Sequence, residues 1–244
     1  MKKQIKLLLF GLIIGSTTKY GYSFDKKDFN TIISGELETV ILRRSDLSEA
    51  KLNEIDLSKA VLFGSNLKKA QLKKAILIKT DFVKADLTKA DLYKANLTQA
   101  LLRAANLTDA QLKKAILTQA DLTKATLIGA DLSEADLSNS RMVEANFSEA
   151  KLKNSILTQA NLTQAQLIDS DLTGADLTKA NLSKANLTGA NLTDAYLTDT
   201  DLTEADLTDT DLTRTDLTGA TYNKKTQFPD NFNPENHLMK RARK

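Results

Sequence analysis

Fourteen aspartates stand at positions that differ only by multiples of five: Asp46, Asp56, Asp81, Asp86, Asp91, Asp121, Asp131, Asp136, Asp171, Asp176, Asp201, Asp206, Asp211 and Asp216. Carboxylates brought close together could work as a general acid and base. The rest of the inventory gives them no help. There is no cysteine, which removes a thiol nucleophile, a thiolate metal site and a disulfide framework. The single histidine, His237, lies in the tail beyond the aspartates, where a solvated side chain is expected rather than a base. Glycine-aspartate nonapeptides of the calcium-binding kind are absent. Short Asp side chains at a fixed place in a repeated unit bond to local backbone, so these read as turn residues. No catalytic, cofactor-binding or metal-binding residue is assigned.

The element that positions the aspartates has a five-residue period. Leucine recurs from Leu37 to Tyr222 at 34 of 38 places, the exceptions being Phe82, Met142, Phe147 and Tyr222. The residue two before each is small, and from Val40 to Ala220 it is Ala in 26 of 37 cases. The unit is therefore Ala-(Asp/Asn)-Leu-x-x. A helix would space apolar residues by three and four and a strand by two. Here two inward residues, at i−2 and i, are followed by a reset, which fits a short extended piece and then a turn. Burial of each Leu contributes roughly 1.5–3 kcal/mol before the entropy of ordering is subtracted. Leu87, Leu107, Leu127, Phe147 and Leu167 are taken as one column of the structural core.

The aspartates also count the sides of the coil. In a solenoid the residue one coil up lies about 4.8 Å away, where a second carboxylate would repel the first. Asp–Asp pairs number seven at a spacing of 5, five at 10, two at 15, none at 20, two at 25 and seven at 40. Twenty is the avoided spacing, so four sides of five residues make a coil. Asn takes the intervening places in the series Asp46, Asn66, Asp86, Asn106. The octapeptide from Ala70 to Leu77 recurs identically from Ala110 to Leu117 and more loosely from Ala150 to Leu157, a shift of two coils. This unit resembles the pentapeptide repeat family, whose consensus is the same. The resemblance implies an all-β fold: a right-handed quadrilateral β-helix of about nine 20-residue coils, with the Leu and the small residue inside.

On this reading residues 35–222 are the solenoid. Residues 1–23 carry Lys2, Lys3 and Lys6 and an apolar run from Leu7 to Ile14, then Gly21 and Ser23, which suits a cleaved secretory signal. The run is too short for an ordinary transmembrane helix. The mature chain is therefore expected to be exported, periplasmic or secreted, without a membrane-spanning helix; a retained anchor is the alternative. Residues 24–34 are the candidate N-terminal cap. Residues 223–244 are the candidate C-terminal cap and basic tail, with Phe228, Pro229, Phe232 and Pro234, the prolines being expected to stop further strand addition.

Three outward features could meet a partner. Ile41, Val61, Phe63, Val83 and Leu101 gather on one side when the chain is read modulo 20, a candidate protein contact. Lys51, Lys73, Lys74, Lys94, Lys113 and Lys114 share another side with Tyr93, a candidate basic face that could meet an acidic surface, or else a solvated face that keeps the rod soluble. Thr98, Thr118, Ser138, Thr158, Thr178, Thr198 and Thr218 form a hydroxyl column. The charge is uneven: residues 35–130 hold 16 Lys/Arg and 11 Asp/Glu, residues 131–220 hold 6 and 16. No motif or set of interleaved aromatics points to nucleic acid.

The function expected is a non-enzymatic exported scaffold presenting flat faces to an unknown protein partner, without cofactor or small-molecule substrate, and with a homodimer left open. The alternative comes from the family resemblance: some members mimic duplex DNA and bind a type II topoisomerase. Residues 191–220, with eight acidic side chains against Arg214 alone, offer a negative end for that role. A host-directed effector and an ice-binding protein are weaker readings, the second resting on the hydroxyl column.

Overall fold

In an interior repeat with Asp or Asn before the core Leu, five backbone amides find five acceptors, and that accounting builds the coil. In the unit 86–90, the Asp86 amide donates to Ser65 O one coil back at 2.9 Å, while Leu87 and Lys89 donate to Asn106 O and Thr108 O one coil on at 2.7 and 2.9 Å. Ala90 N donates to Leu87 O at 2.9 Å, closing a turn. The remaining amide, Thr88 N, donates to the Asp86 carboxylate at 3.1 Å, and the Thr88 hydroxyl joins it at 2.6 Å. Asp and Asn are favoured before the Leu because a short side chain there satisfies the one amide that the ladder leaves over. The same bond recurs at Asn106–Thr108, Asp136–Ser138 and Asn186–Thr188.

The computed structural model describes residues 40–230 and 232–242. The expected signal segment at 1–23 and N-terminal cap at 24–34 lie outside the described residues. From Ile41 onward each residue preceding a core Leu pairs in parallel with the residue twenty later: Ile41 with Val61, Asp46 with Asn66, Lys51 with Gln71, Asp56 with Ile76, and so on to Asp201 with Thr221. Four columns of paired residues follow, one to each side. Nine steps of about 4.8 Å separate Ile41 from Thr221, giving a rod of about 43 Å. No helix among the described residues is long and apolar enough to cross a membrane.

The interior is aliphatic. Leu87, Leu107, Leu127, Phe147 and Leu167 stack as one buried column, and the Ala residues two before them are buried beside the bends. Where Ser or Thr replaces Ala, the buried hydroxyl mostly finds a carbonyl: Ser140 Oγ donates to Leu137 O at 2.6 Å and Thr80 Oγ1 to Leu57 O at 2.8 Å. Pairing of the hydroxyl makes such substitutions tolerable; Ser45, in the first described coil, is the exception, its buried Oγ having no partner among the described residues.

Every corner from Arg44 to Gly219 has positive φ, as the second central residue of a type II turn requires, and most corners are Lys, Glu, Gln or Asp rather than Gly. Conformational freedom alone therefore does not explain the glycines. Four of the five lie one coil above a short acidic or amide side chain: Gly129 over Asp109, Gly174 over Asn154, Gly189 over Asp169, Gly219 over Asp199. A Cβ at Gly189 would be driven into the Asp169 carboxylate. Gly189→Ala is accordingly expected to cost about 1–2 kcal/mol in urea unfolding, chiefly for the left-handed backbone, and Asp169→Ala in the same chain to recover only the smaller part due to the exposed carboxylate. An undiminished midpoint in the single variant would show that the corner has room.

At the C-terminal end the register slips. Asp206 pairs with Gln227, twenty-one residues on, and the extra residue is absorbed in a turn where Thr226 N donates to Asn223 O at 3.1 Å and Lys225 N to Asn223 Oδ1 at 2.9 Å. Phe228, Phe232 and Met239 then pack against the core. Tyr222 meets Phe228 edge-on at 5.6 Å, Phe228 stacks on Phe232 at 5.0 Å, and a short 3-10 helix, Pro234–His237, follows. The prolines do not end strand addition as expected. β2 (Lys240–Arg241) pairs in parallel with β1 (Thr221–Tyr222), because the chain doubles back after Pro234 and offers Lys240 N to Ala220 O at 2.8 Å.

Candidate interaction faces

Each wall of the rod shows two outward columns, the residue before the core Leu and the residue after it, bounded by the positive-φ corner. The walls are named by their first described paired residue: Ile41, Asp46, Lys51 and Asp56.

On the Ile41 wall, Ile41 pairs with Val61, but Asp81 stands between Val61 and Leu101 in the column. Phe63 and Val83 occupy the adjoining column. Ile41, Val61, Phe63 and Val83 are half-buried, and Leu101 is exposed. The five residues therefore make a small two-coil apolar area with Leu101 set apart by a carboxylate.

All six lysines of the candidate basic face lie on the Lys51 wall or its corner, yet most of their charge is already met. Lys73 reaches Asp91 at 3.2 Å and Lys74 reaches Glu54 at 3.0 Å. Lys113 and Lys114 share Glu134 at 3.4 and 3.1 Å. Lys94 lies over the Tyr93 ring, 5.3 Å from its centre. The hydrogen bond from Lys114 holds the Glu134 carboxyl below its ordinary range and raises the lysine in turn. These pairs are exposed, so each adds little to stability. Their effect is to present an external acidic partner with a wall of alternating sign in place of a uniform cation.

The acidic end is likewise part-neutralised. Arg214 pairs with Asp194, Lys225 with Glu204 at 3.2 Å and Lys240 with Asp199 at 3.4 Å. Asp201, Asp206, Asp211 and Asp216 each head a different wall, so they ring the end of the rod and do not run along it. His237 is exposed and stacks on Phe232 at 4.4 Å. Among the described residues no group of three or more His, Cys, Asp or Glu is placed to hold a metal ion.

A family model for pentapeptide repeats matches residues 41–77, 65–103, 105–142, 145–183 and 180–219, well over half of the chain. The chain belongs to the pentapeptide repeat family. Its four-walled coil is the right-handed quadrilateral β-helix of that family. Among solved structures it is similar to HetL of the cyanobacterium Nostoc sp. strain PCC 7120, a pentapeptide repeat protein involved in heterocyst differentiation regulation, at 32% identity over 82% of this chain and 96% of that one, with a TM-score of 0.41. A pentapeptide repeat protein of the Arabidopsis thaliana thylakoid lumen is 34% identical over 40% of this chain and 68% of that one, TM-score 0.39. QnrB1, a plasmid-mediated fluoroquinolone resistance protein, is 18% identical over 79% and 90%, TM-score 0.45. No curated protein sequence matches the chain.

The outward feature that sequence reasoning missed on this pentapeptide repeat protein is on the Asp56 wall. Ile76, Ile116, Ile156 and Tyr196 occur on alternate coils of one column at 40%, 40%, 42% and 54% exposure, which makes them the most regular set of exposed large apolar side chains among the described residues. The recurring octapeptide contained the signal, since it puts an isoleucine in the outward place before Leu77, Leu117 and Leu157. The hydroxyl column lies on this same wall and is engaged internally: Thr118 Oγ1 donates to Thr98 Oγ1 at 3.2 Å and Ser138 Oγ to Asp136 at 2.6 Å.

The turn aspartates also set how the solenoid responds to acid. Hydrogen bonds from Ser58, Thr213 and Thr218 hold the carboxyls of Asp56, Asp211 and Asp216 below their ordinary range. At Asp86 burial pushes the carboxyl up, but the Thr88 hydroxyl and amide and Lys68 outweigh it. A depressed folded-state value means that the carboxylate stabilises the fold above its unfolded value, near 3.9, and that this contribution is lost as pH falls through the lower, folded one. The melting temperature is therefore expected to drop between pH 5 and pH 2. In Asp211→Asn/Asp216→Asn, which keeps the acceptor oxygen but cannot titrate, the drop should be smaller. An equal drop in both proteins would place the acid sensitivity elsewhere.

Proposed function

We propose that the chain is a non-enzymatic scaffold, exported from a bacterial cell after removal of residues 1–23, that presents rigid flat β-helix walls to a protein partner. The observation that carries this reading is the unbroken register. From Ile41 to Thr221 every pairing spans twenty residues, and no insertion leaves the coil to build a cleft or an arm. A wall of this kind is held by three inter-coil hydrogen bonds per repeat and changes shape little on binding, so its specificity must lie in the pattern of outward side chains. Membership of a family of protein-interaction scaffolds supports the reading, as do the basic start and short apolar run of residues 1–23.

Sequencing the mature N-terminus after cell fractionation tests it. A product beginning near Phe24 outside the cytoplasm is expected. An uncleaved cytoplasmic product that inhibits DNA supercoiling in vitro would overturn it in favour of topoisomerase mimicry. Against that alternative stands the arrangement of the acidic end. A duplex mimic needs rows of negative charge along its length, as phosphates run along DNA. Here the four terminal aspartates encircle the rod, and three of the neighbouring acids are paired with Arg214, Lys225 and Lys240.

A further inference from the structure

The paired column of the Asp56 wall alternates strictly between apolar and polar. Ile76, Ile116, Ile156 and Tyr196 are separated by Asn96, Asp136 and Asp176, and Asp216 ends the series. Asp136, Asp176 and Asp216 receive only bonds from their own wall: the Ser138, Thr178 and Thr218 amides at 2.9 Å, and hydroxyls of Ser138 and Thr198. None is in an ion pair among the described residues. The result is a row of notches, floored by Asn96, Asp136 and Asp176 and walled by larger apolar side chains one coil above and below, with Asp216 at the end flanked by Tyr196 on one side.

A notch of this shape fits the stem of a Lys or Arg. The stem would lie about 4.8 Å from the apolar residue on each side, ordinary neighbour spacing in a sheet, with its cationic head on the aspartate. The notches repeat every two coils, about 9.6 Å. That period selects the backbone of the ligand. An extended strand brings side chains to one side every ~6.7 Å and is out of step at once. Seven residues of an α-helix advance ~10.5 Å, an error of about 1.8 Å over the two steps that join three notches. Three residues of a polyproline II helix advance ~9.3 Å, an error of about 0.6 Å over the same span. A second copy of this wall is a poor occupant, because an antiparallel register that sets Ile against Ile also sets Asp against Asp.

We propose that the Asp56 wall binds a peptide segment in the polyproline II conformation with a Lys or Arg at every third residue, the cations seated over Asp136, Asp176 and Asp216, the first two stems lying between Ile116 and Ile156 and between Ile156 and Tyr196 and the third against Tyr196. The inference rests on the reading of the rod as a protein-binding scaffold and names the partner chemistry of one wall. Proline-rich ligands suit it because their conformation is preformed, so little ordering opposes binding.

The test is fluorescence anisotropy with the full chain and a labelled peptide of four Pro-Pro-Arg triplets. Two further probes are a peptide with the same number of Arg at every second residue and a helical peptide with Leu at seven-residue spacing and Lys between. The triplet peptide is expected to bind at least tenfold more tightly than either. Ile116→Ser/Ile156→Ser and Asp136→Asn/Asp176→Asn should each weaken it at least fivefold with an unchanged melting curve. Asp131→Asn/Asp171→Asn, which removes the same charge from the Lys51 wall, should leave it unaltered. Equal affinity for the three peptides, tighter binding of the helix, or equal loss from the two Asp pairs would overturn the proposal. None of those outcomes bears on export or scaffolding, which the mature N-terminus and fractionation decide.

Discussion

Leu127→Asp is expected to remove the single cooperative melting transition of the chain. Leu127 is fully buried midway along the rod, between Leu107 and Phe147 in one core column, and its amide and carbonyl are already committed to Asn146 O and Ala130 N. A carboxylate at this site would have no cation within the leucine spine and no free donor, so it would carry the penalty of an unpaired buried charge. Leu127→Ala, which leaves only a cavity, should cost about 2–5 kcal/mol and keep one transition. The aspartate variant should behave differently because each coil of a solenoid contacts only its neighbours. The defect would uncouple the coils before it from those after it, giving two weaker transitions or none. Burial raises a carboxyl, so the variant should regain structure on mild acidification, opposite in sign to the surface aspartates. Thermal unfolding followed by circular dichroism at pH 7 and pH 5 reads both effects. A native melting curve at pH 7 would contradict the inward placement of this column.

The winding was legible because electrostatics left a trace in the sequence. The absence of two aspartates twenty apart, and the Asp46, Asn66, Asp86, Asn106 series, report which residues stack, and the pairing of those residues in the structure is the same. What could not be read depends on directions other than straight up the rod. Lys73 reaches Asp91 across a diagonal of eighteen residues and Lys113 reaches Glu134 across one of twenty-one, pairs that a reading modulo 20 hides, whereas Lys74 with Glu54 and Lys114 with Glu134 are twenty apart and were open to it. The corner glycines need the direction in which an Asp at positive φ throws its carboxylate, which spacing does not contain. Ile76, Ile116 and Ile156 were visible as a duplicated octapeptide, but their meaning needed the outward role of the residue before the Leu to be taken as strictly for isoleucine as for aspartate. On the Ile41 wall the same consideration separates Leu101 from Val61, because Asp81 intervenes.

Length should matter to this fold only through its remainder on division by five. Removing residues 121–140 deletes one coil: every later core Leu stays inward, and Leu101 is brought against Arg141 where Asp121 had been. The shortened chain is expected to melt within a few degrees of the parent and to show a urea dependence reduced roughly in proportion to the surface lost. Removing residues 121–137, three fewer, should be far more damaging. Asn139, Glu144 and Glu149, all former corner residues, would fall where the spine needs Leu, and every ladder bond across the cut would be mismatched, since a shift of register exchanges inward and outward faces. The chain has one demonstrated remedy for an unmatched residue, the twenty-one-residue pairing of Asp206 with Gln227. That remedy adds backbone at a corner and depends on Asn223 and Thr226 to satisfy the turn it creates. A deletion has no backbone to bulge. The seventeen-residue variant is therefore expected to lose cooperative unfolding, while a single residue inserted after a corner such as Lys124 should lower the melting temperature without abolishing the transition. Similar melting curves for the two deletions would mean that the spine tolerates polar side chains, and the account of its stability would have to shift from leucine burial to the hydrogen-bond ladders.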